Sequence, residues 1–397
     1  IFGTLSNNNR LVLTLNGTGD QTVAGSGGVN QNAFRSFVVN KASGSSATLG
    51  ANITTSGNEL NELSVISGTL DLSTFTADRL ALGDDKKGTL NVSNGATLKI
   101  GGANGLPIYY GLAHTYGATS TVEYYGTNQT VNDAASLVTD TFGNLTLSTS
   151  GVKTLSMNTA VNGKLSMQGT ATLALSGETL TYGASATLEY NTATGRTAGT
   201  EWITPFAAAG GVIIANTGTI TADAAKVFDA SVPLTINSGA TLAMSTYLLT
   251  LNGNLVNSGG TTSGSGGVTI AGTVTQSIGA FTNTGTVTMT KTGGTATFTG
   301  NVNGGALTLT GVNGTLNLGT GLTHTFTGTW TRTNGTLNGG SSTLKIGGSV
   351  SGTGGTFTAS TGTVEWNAAG AQTLANVTYN NLTLSGSGVK ATTGVTV

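Results

Sequence analysis

The sequence predicts an all-β fold of elongated, repetitive architecture, on three grounds: its composition, its period-two alternation and the recurrence of its strand units. Glycine supplies 63 of the 397 residues, more than twice the ~7% of an average chain, without the every-third spacing of collagen. Charged residues make up 8%, against about 25% in soluble domains. A helical surface is normally built from Lys, Glu and Arg. Here the outer positions fall to Thr, which suits a pleated strand, and to Gly and Asn, which suit turns. Disorder is disfavoured, because hydrophobic residues reach 37% and alternate with Thr and Ser.

The strands follow one another closely. Arg10–Leu15, Gly88–Val92, Ala96–Ile100, Thr121–Tyr125, Asn144–Ser148, Ala171–Leu175 and Ala186–Tyr190 all alternate. So do Ala240–Met244, Val268–Ile270, Thr286–Thr290, Ser342–Ile346, Gly362–Trp366 and Asn381–Ser385. Gly, Asn-Gly or Ser-Gly follows most of them and supplies the positive φ of turns. A larger unit recurs: Thr121–Tyr124, Gln129–Val131 and Asn144–Ser148 match Thr363–Trp366, Gln372–Leu374 and Asn381–Ser385. A smaller one, Ala/Ser-Thr-Leu-Lys-Ile-Gly-Gly, occurs at Ala96–Gly102 and Ser342–Gly348. Such repeats point to a stacked array. A right-handed β-solenoid is the favoured architecture, with tandem β-sandwich domains as the alternative; parallel rungs would mark the first and antiparallel hairpins the second. Short helical connectors are expected at Asn58–Ile66, Asp133–Val138 and Ala222–Ala230. Residues 1–9 read as an N-terminal extension and 10–397 as the β-repeat body, with seams expected near 116, 192 and 260.

The net charge of −1 gives no electrostatic footprint for nucleic acid or anionic membrane. No apolar run approaches the ~20 residues of a membrane-spanning helix, so no membrane insertion is expected. The chain starts at Ile1 without a charged, then apolar, leader, so any signal peptide is expected to have been removed or to lie outside this sequence. There is no cysteine, which removes disulfides, thiolate metal sites and thiol nucleophiles.

Candidates for chemistry are few. His114 and His324 have no second ligand near them in sequence and are expected to be ordinary loop or strand residues. No Asp or Glu occurs between Asp229 and Glu365, so a third of the chain lacks the carboxylates of a polysaccharide-active enzyme. Glu123, Glu189 and Glu365 hold one strand position, and Lys99 and Lys345 the same position elsewhere; all are expected to face outward and pair with neighbours. A sharper alternative is an Asn–Lys isopeptide crosslink promoted by one of these glutamates. Asp84 to Lys87 reads as a solvated charged turn. Trp202 and Trp330 are the residues named for glycan contact, against the blander expectation that large aromatics fill the core. No catalytic, cofactor-binding or metal-binding residue is expected.

Gly88–Gly102 and Leu234–Gly253 resemble passenger regions of bacterial autotransporters and related Gly/Thr-rich β-strand-repeat surface proteins, of filament or adhesin type. Asn144–Leu155 and Asn381–Ala391 resemble repeats of large bacterial extracellular proteins of that kind. The resemblance implies a secreted or cell-surface β-repeat body serving adhesion or fibre formation, with no catalytic residues to transfer. The expected function is that of a structural subunit of an extracellular filament or surface layer. Its partner is then itself, through β-strand contacts, with Ile1, Phe2 and Leu5 as the donor strand. The alternative is an adhesin stalk or glycan-binding module whose partners are cell-surface glycans.

Overall fold

The computed structural model describes residues 12–24, 29–30, 35–54, 60–79, 88–132 and 139–397. Among these, every regular element is a short β-strand, and there is no helix. The strands lie side by side in parallel, each pairing with a strand from the next circuit of the chain. The fold is a β-solenoid. Tandem sandwiches, which need antiparallel pairs closed by hairpins, are set aside by this pairing.

The chain forms two compact units, one ending at Asn191 and the other running from Thr192 to Val397. In both, a rung has three sides. In the first unit, Ser36–Lys41, Ser46–Leu49 and Ile53–Thr54 make one rung, and Glu62–Ser67 and Thr69–Asp71 lie on the first two of its strands. In the second, Leu249–Leu251, Leu255–Asn257 and Thr261–Ser263 are followed by Val268–Ile270, Gln276–Ile278 and Phe281–Thr282. Each unit contributes eight strands to its longest sheet, from Gln21–Val23 to Thr187–Asn191 and from Gly211–Ile214 to Thr356–Thr358.

Alternation explains the core. In Thr97–Ile100, Leu98 and Ile100 are fully buried while Thr97 and Lys99 are half-buried on the outer face. Parallel register then stacks like on like. Leu98, Val122, Leu145, Leu165 and Leu188 form one inward column, and Ile100, Tyr124, Leu147, Met167 and Tyr190 form another. Each such side chain contributes about 1.5–3 kcal/mol by leaving water. In the second unit Val268, Val287, Leu307 and Trp330 make the equivalent column.

The corners are where Asn-Gly is used. In Ser93-Asn94-Gly95-Ala96 the Ala96 N–H donates to the Ser93 carbonyl at 3.0 Å, with Gly95 at φ +75°, a value an L side chain rarely adopts. This turn joins Thr89–Val92 to Thr97–Ile100, which belong to different sheets. It is a solenoid corner and not a hairpin.

The expected helical connectors do not form where they are described. Glu62–Ser67 is a strand, and Lys226–Val227 is a strand laid on Leu249–Thr250. A short Ala-rich run gains little as a two-turn helix, whereas a neighbouring rung offers it a full set of backbone partners. Residues 133–138, and 58–59 of the first connector, lie outside the described residues. So do Ile1, Phe2, Leu5, Asn7–Asn9 and the charged turn at 84–87.

Among the described residues three corners carry the same polar clip. Gln129 Nε2 donates to the Ile100 and Asn104 carbonyls of the preceding rung at 3.0 and 2.9 Å. Its Oε1 accepts from Lys153 Nζ of the following rung at 2.9 Å. Gln276 bonds Leu251 and Gly253 behind it and Lys291 ahead. Gln372 bonds Ile346 and Gly348 behind it and Lys390 ahead. One carboxamide can donate twice and accept twice, so a single glutamine ties three successive rungs. This is the chemical content of the Gln-Thr-Val and Gly-Val-Lys repeats.

Candidate functional site

Several outward charges form pairs between rungs. Lys99 and Glu123 are register partners, with Nζ and Oε2 3.3 Å apart. Lys345 and Glu365 repeat this at 3.1 Å, and Lys164 reaches Glu189 at 2.9 Å. Each glutamate also accepts from a serine hydroxyl: Ser148, Ser385 and Ser166, respectively. The hydroxyl of Ser385, then the ammonium of Lys345, hold the Glu365 carboxyl below its usual range. These groups sit in ordinary ion pairs, as their shared strand position suggests.

Neither tryptophan named for glycan contact offers a ring face. Trp202 is 2% and Trp330 0% exposed. Trp202 packs edge-on against Phe228, and Trp330 packs against Phe357 and Trp366. A sugar cannot stack on either. The area an indole buries makes the interior its favoured place.

The histidines differ. His324, in the strand Thr323–Phe326, is fully buried. Its Nδ1 accepts from the Val302 N–H at 3.2 Å and its Nε2 meets the Leu318 carbonyl at 2.8 Å. An amide can only donate and a carbonyl only accept, so the partners fix the neutral Nε2–H tautomer. Burial pushes its pKa down. His114, in Ala113–Tyr116, instead meets a carboxylate: Nδ1 lies 2.6 Å from Asp140 Oδ1, with both side chains fully buried. Tyr116 donates to the same oxygen at 3.1 Å, and Asn132 Nδ2 donates to Asp140 Oδ2 at 3.0 Å. Among the described residues, His114 Nε2 is buried without a hydrogen-bond partner.

Asn132 leads from this cluster to the surface. Its Oδ1 accepts from Ser156 N–H and the Thr159 hydroxyl. Beside it the rungs lose their regular form. Residues 101–112 contain no strand, and Tyr109 takes φ +69°, a strained value outside glycine. Here the first unit opens a groove of about 390 Å³, lined by Thr76, Asp78, Asn104, Thr130, Asn132 and Ser156, with Leu106 and Ile108 among its apolar walls. Asp78 is held by the Ile108 N–H at 3.1 Å and by the Thr76 hydroxyl. Burial nonetheless raises its pKa.

Sequence reasoning missed Asp140, Asn132 and the Asp78 groove. His114 and Asp140 are 26 residues apart, about the length of one rung, so rung length was the signal that could have joined them. Among the described residues no group of three or more His, Asp or Glu gathers to hold a metal, and no helix is long and apolar enough to cross a membrane.

Fold and site together define a three-sided β-solenoid with apolar columns inside, polar clips at its corners and a groove on its first unit. Comparison with family models, curated proteins and solved structures gives no match to this chain.

Proposed function

We propose that this chain is a non-catalytic structural module of an extracellular filament or cell-surface layer, which assembles with copies of itself through β-strand contacts. One observation carries the reading: its buried polar chemistry serves cohesion between rungs. Gln129, Gln276 and Gln372, each with its lysine, tie one rung to the next. The buried His324 has a backbone group on both ring nitrogens. A solenoid stabilised by nearest-neighbour contacts withstands extension without needing a reactive centre, and its parallel backbone is a template that a further strand can join.

The test is concentration-dependent assembly. The purified chain, imaged by negative stain and followed by light scattering over a wide concentration range, should pass from single particles to ordered filaments or sheets. Single particles at every concentration would remove the assembly role.

A further inference from the structure

We propose that the long-sheet side of the second unit binds the surface of an ice crystal, through a flat array of threonine and asparagine side chains between Thr295 and Thr358. This goes beyond a structural role and does not rest on it, since a single copy suffices.

Register builds the array. Thr295–Phe298, Thr315–Asn317, Thr336–Asn338 and Thr356–Thr358 are successive neighbours in the sheet. Their parallel pairing stacks Thr295, Thr315, Thr336 and Thr356 in one outward column, and Thr297, Asn317, Asn338 and Thr358 in a second. Between the columns Ala296, Leu316 and Leu337 point inward and are buried. Rungs repeat at about 4.8 Å, and alternate residues along a strand at roughly 6.6 Å. Hydroxyl and amide groups are therefore set out in two dimensions, at spacings close to the two oxygen repeats on a prism face of hexagonal ice.

These groups are held in place and left open to solvent. Threonine is β-branched and stiff at χ1. Among the described residues, no hydroxyl of the array's threonines bonds within the chain. Asn317 Oδ1 accepts from the Gly319 N–H at 2.8 Å, and Asn338 Oδ1 from the Gly340 N–H at 2.9 Å. Each carboxamide is fixed in this way, with its Nδ2 kept for an outside acceptor. An array ordered in advance lowers the ordering cost of binding.

Charge and shape select the ligand. No strand of this side, from Gly211–Ile214 to Thr356–Thr358, carries Lys, Arg, Asp or Glu, whereas another side of the same unit bears Lys345 and Glu365. An ion keeps a hydration shell that a neutral crystal cannot replace. The hydroxyl of threonine bonds a water directly, and its methyl group orders the waters around it. A flat face encloses no free small molecule, which needs a concave site, and it lacks the aromatic anchors of a protein interface. Many weak contacts on a rigid frame add up only against a partner with the same repeats. A water lattice has them.

The experiment grows ice slowly from a dilute solution of the full chain, at a concentration where light scattering shows single particles. It measures the share of protein taken into the ice and the gap between melting and freezing points. The native chain should be enriched in the ice and should open a gap. Thr315→Tyr and Thr336→Tyr raise a ring above the middle of the array and should abolish both effects; Thr315→Lys, which adds a charge, should do the same. Thr325→Tyr, on the side that bears Lys345, should leave both effects intact, and circular dichroism checks that each variant is folded. Exclusion of the native chain from ice, a gap indifferent to the array variants, or a gap lost equally in Thr325→Tyr would overturn the proposal. Because single particles are tested, failure of self-assembly would leave the result readable.

Discussion

On the long sheet of the first unit, one outward column reads Thr48, Asp71, Lys99, Glu123, Thr146, Ser166 and Glu189. On the long sheet of the second, the column from Ser277 reads Thr297, Asn317, Asn338 and Thr358. Another side of the second unit stacks Thr250, Thr269, Thr288, Thr308, Thr331 and Ser351. The rung is the same; on the long sheet this outward column carries charges in the first unit and none in the second. The first unit also buries a histidine–carboxylate pair and interrupts its strands over 101–112, and there the groove opens. A repeated scaffold opens a recess where its repetition is broken, and the regular stretches beside it supply the rigidity.

If the interior columns contribute most of the second unit's stability, its largest loss should come from Trp330→Ala. This empties a fully buried site against Phe357 and Trp366 and should destabilise the chain by about 3–5 kcal/mol. Chemical denaturation measures the loss, and hydrogen exchange should place it on the rungs around Trp330. The first unit should answer more sharply to a polar change. Asp140→Ala leaves His114, Tyr116 and Asn132 without their acceptor, at about 3 kcal/mol. A loss below about 1 kcal/mol would mean that water takes over the carboxylate's role.

The clips are common to both units and should cost less to break. Lys153 Nζ reaches the Gly126, Thr127 and Ser150 carbonyls and Gln129 Oε1 at 2.5–3.1 Å. Lys153→Met keeps the stem and removes these bonds, for about 1–3 kcal/mol. Burial lowers the pKa of this amine from 10.5 to about 8. Between those values the unfolded chain holds more protons than the folded one, so stability should rise with pH from about 8 to 10.5. Denaturation midpoints measured across that window should climb for the native protein and flatten for Lys153→Met. Smallest of all, Lys345→Ala should change stability by less than about 1 kcal/mol and lose even that at high salt, because the Lys345–Glu365 pair is part-exposed.

The strands and their buried faces were legible in the sequence. Alternation in Thr97–Ile100 and Thr363–Trp366 reports the inward side directly, and the repeats revealed the stacking. Parallel pairing was not legible from turn residues, since Asn94-Gly95 turns a solenoid corner with the chemistry it would use in a hairpin. The reading of Ala222–Ala230 failed because helix propensity is local and the Lys226–Val227 pairing to Leu249–Thr250 is not. The matched segments around Lys153 and Lys390 were visible as a repeat, but their purpose appears only once Gln129 and Gln372 are placed one corner away. The groove had no signal of its own. It depends on residues 101–112 leaving the ladder, and nothing in their composition separates them from other Gly-rich corners.

The distance along the chain between stacked residues varies while the ladder stays in step: 20 residues separate Leu145 from Leu165, and 24 separate Leu98 from Val122. Slack in circuit length is absorbed where the chain bends. Foreign peptide spliced into a bend would therefore hang outside without shifting a single pairing, which makes the protein a natural display frame whose cargo can be exchanged circuit by circuit.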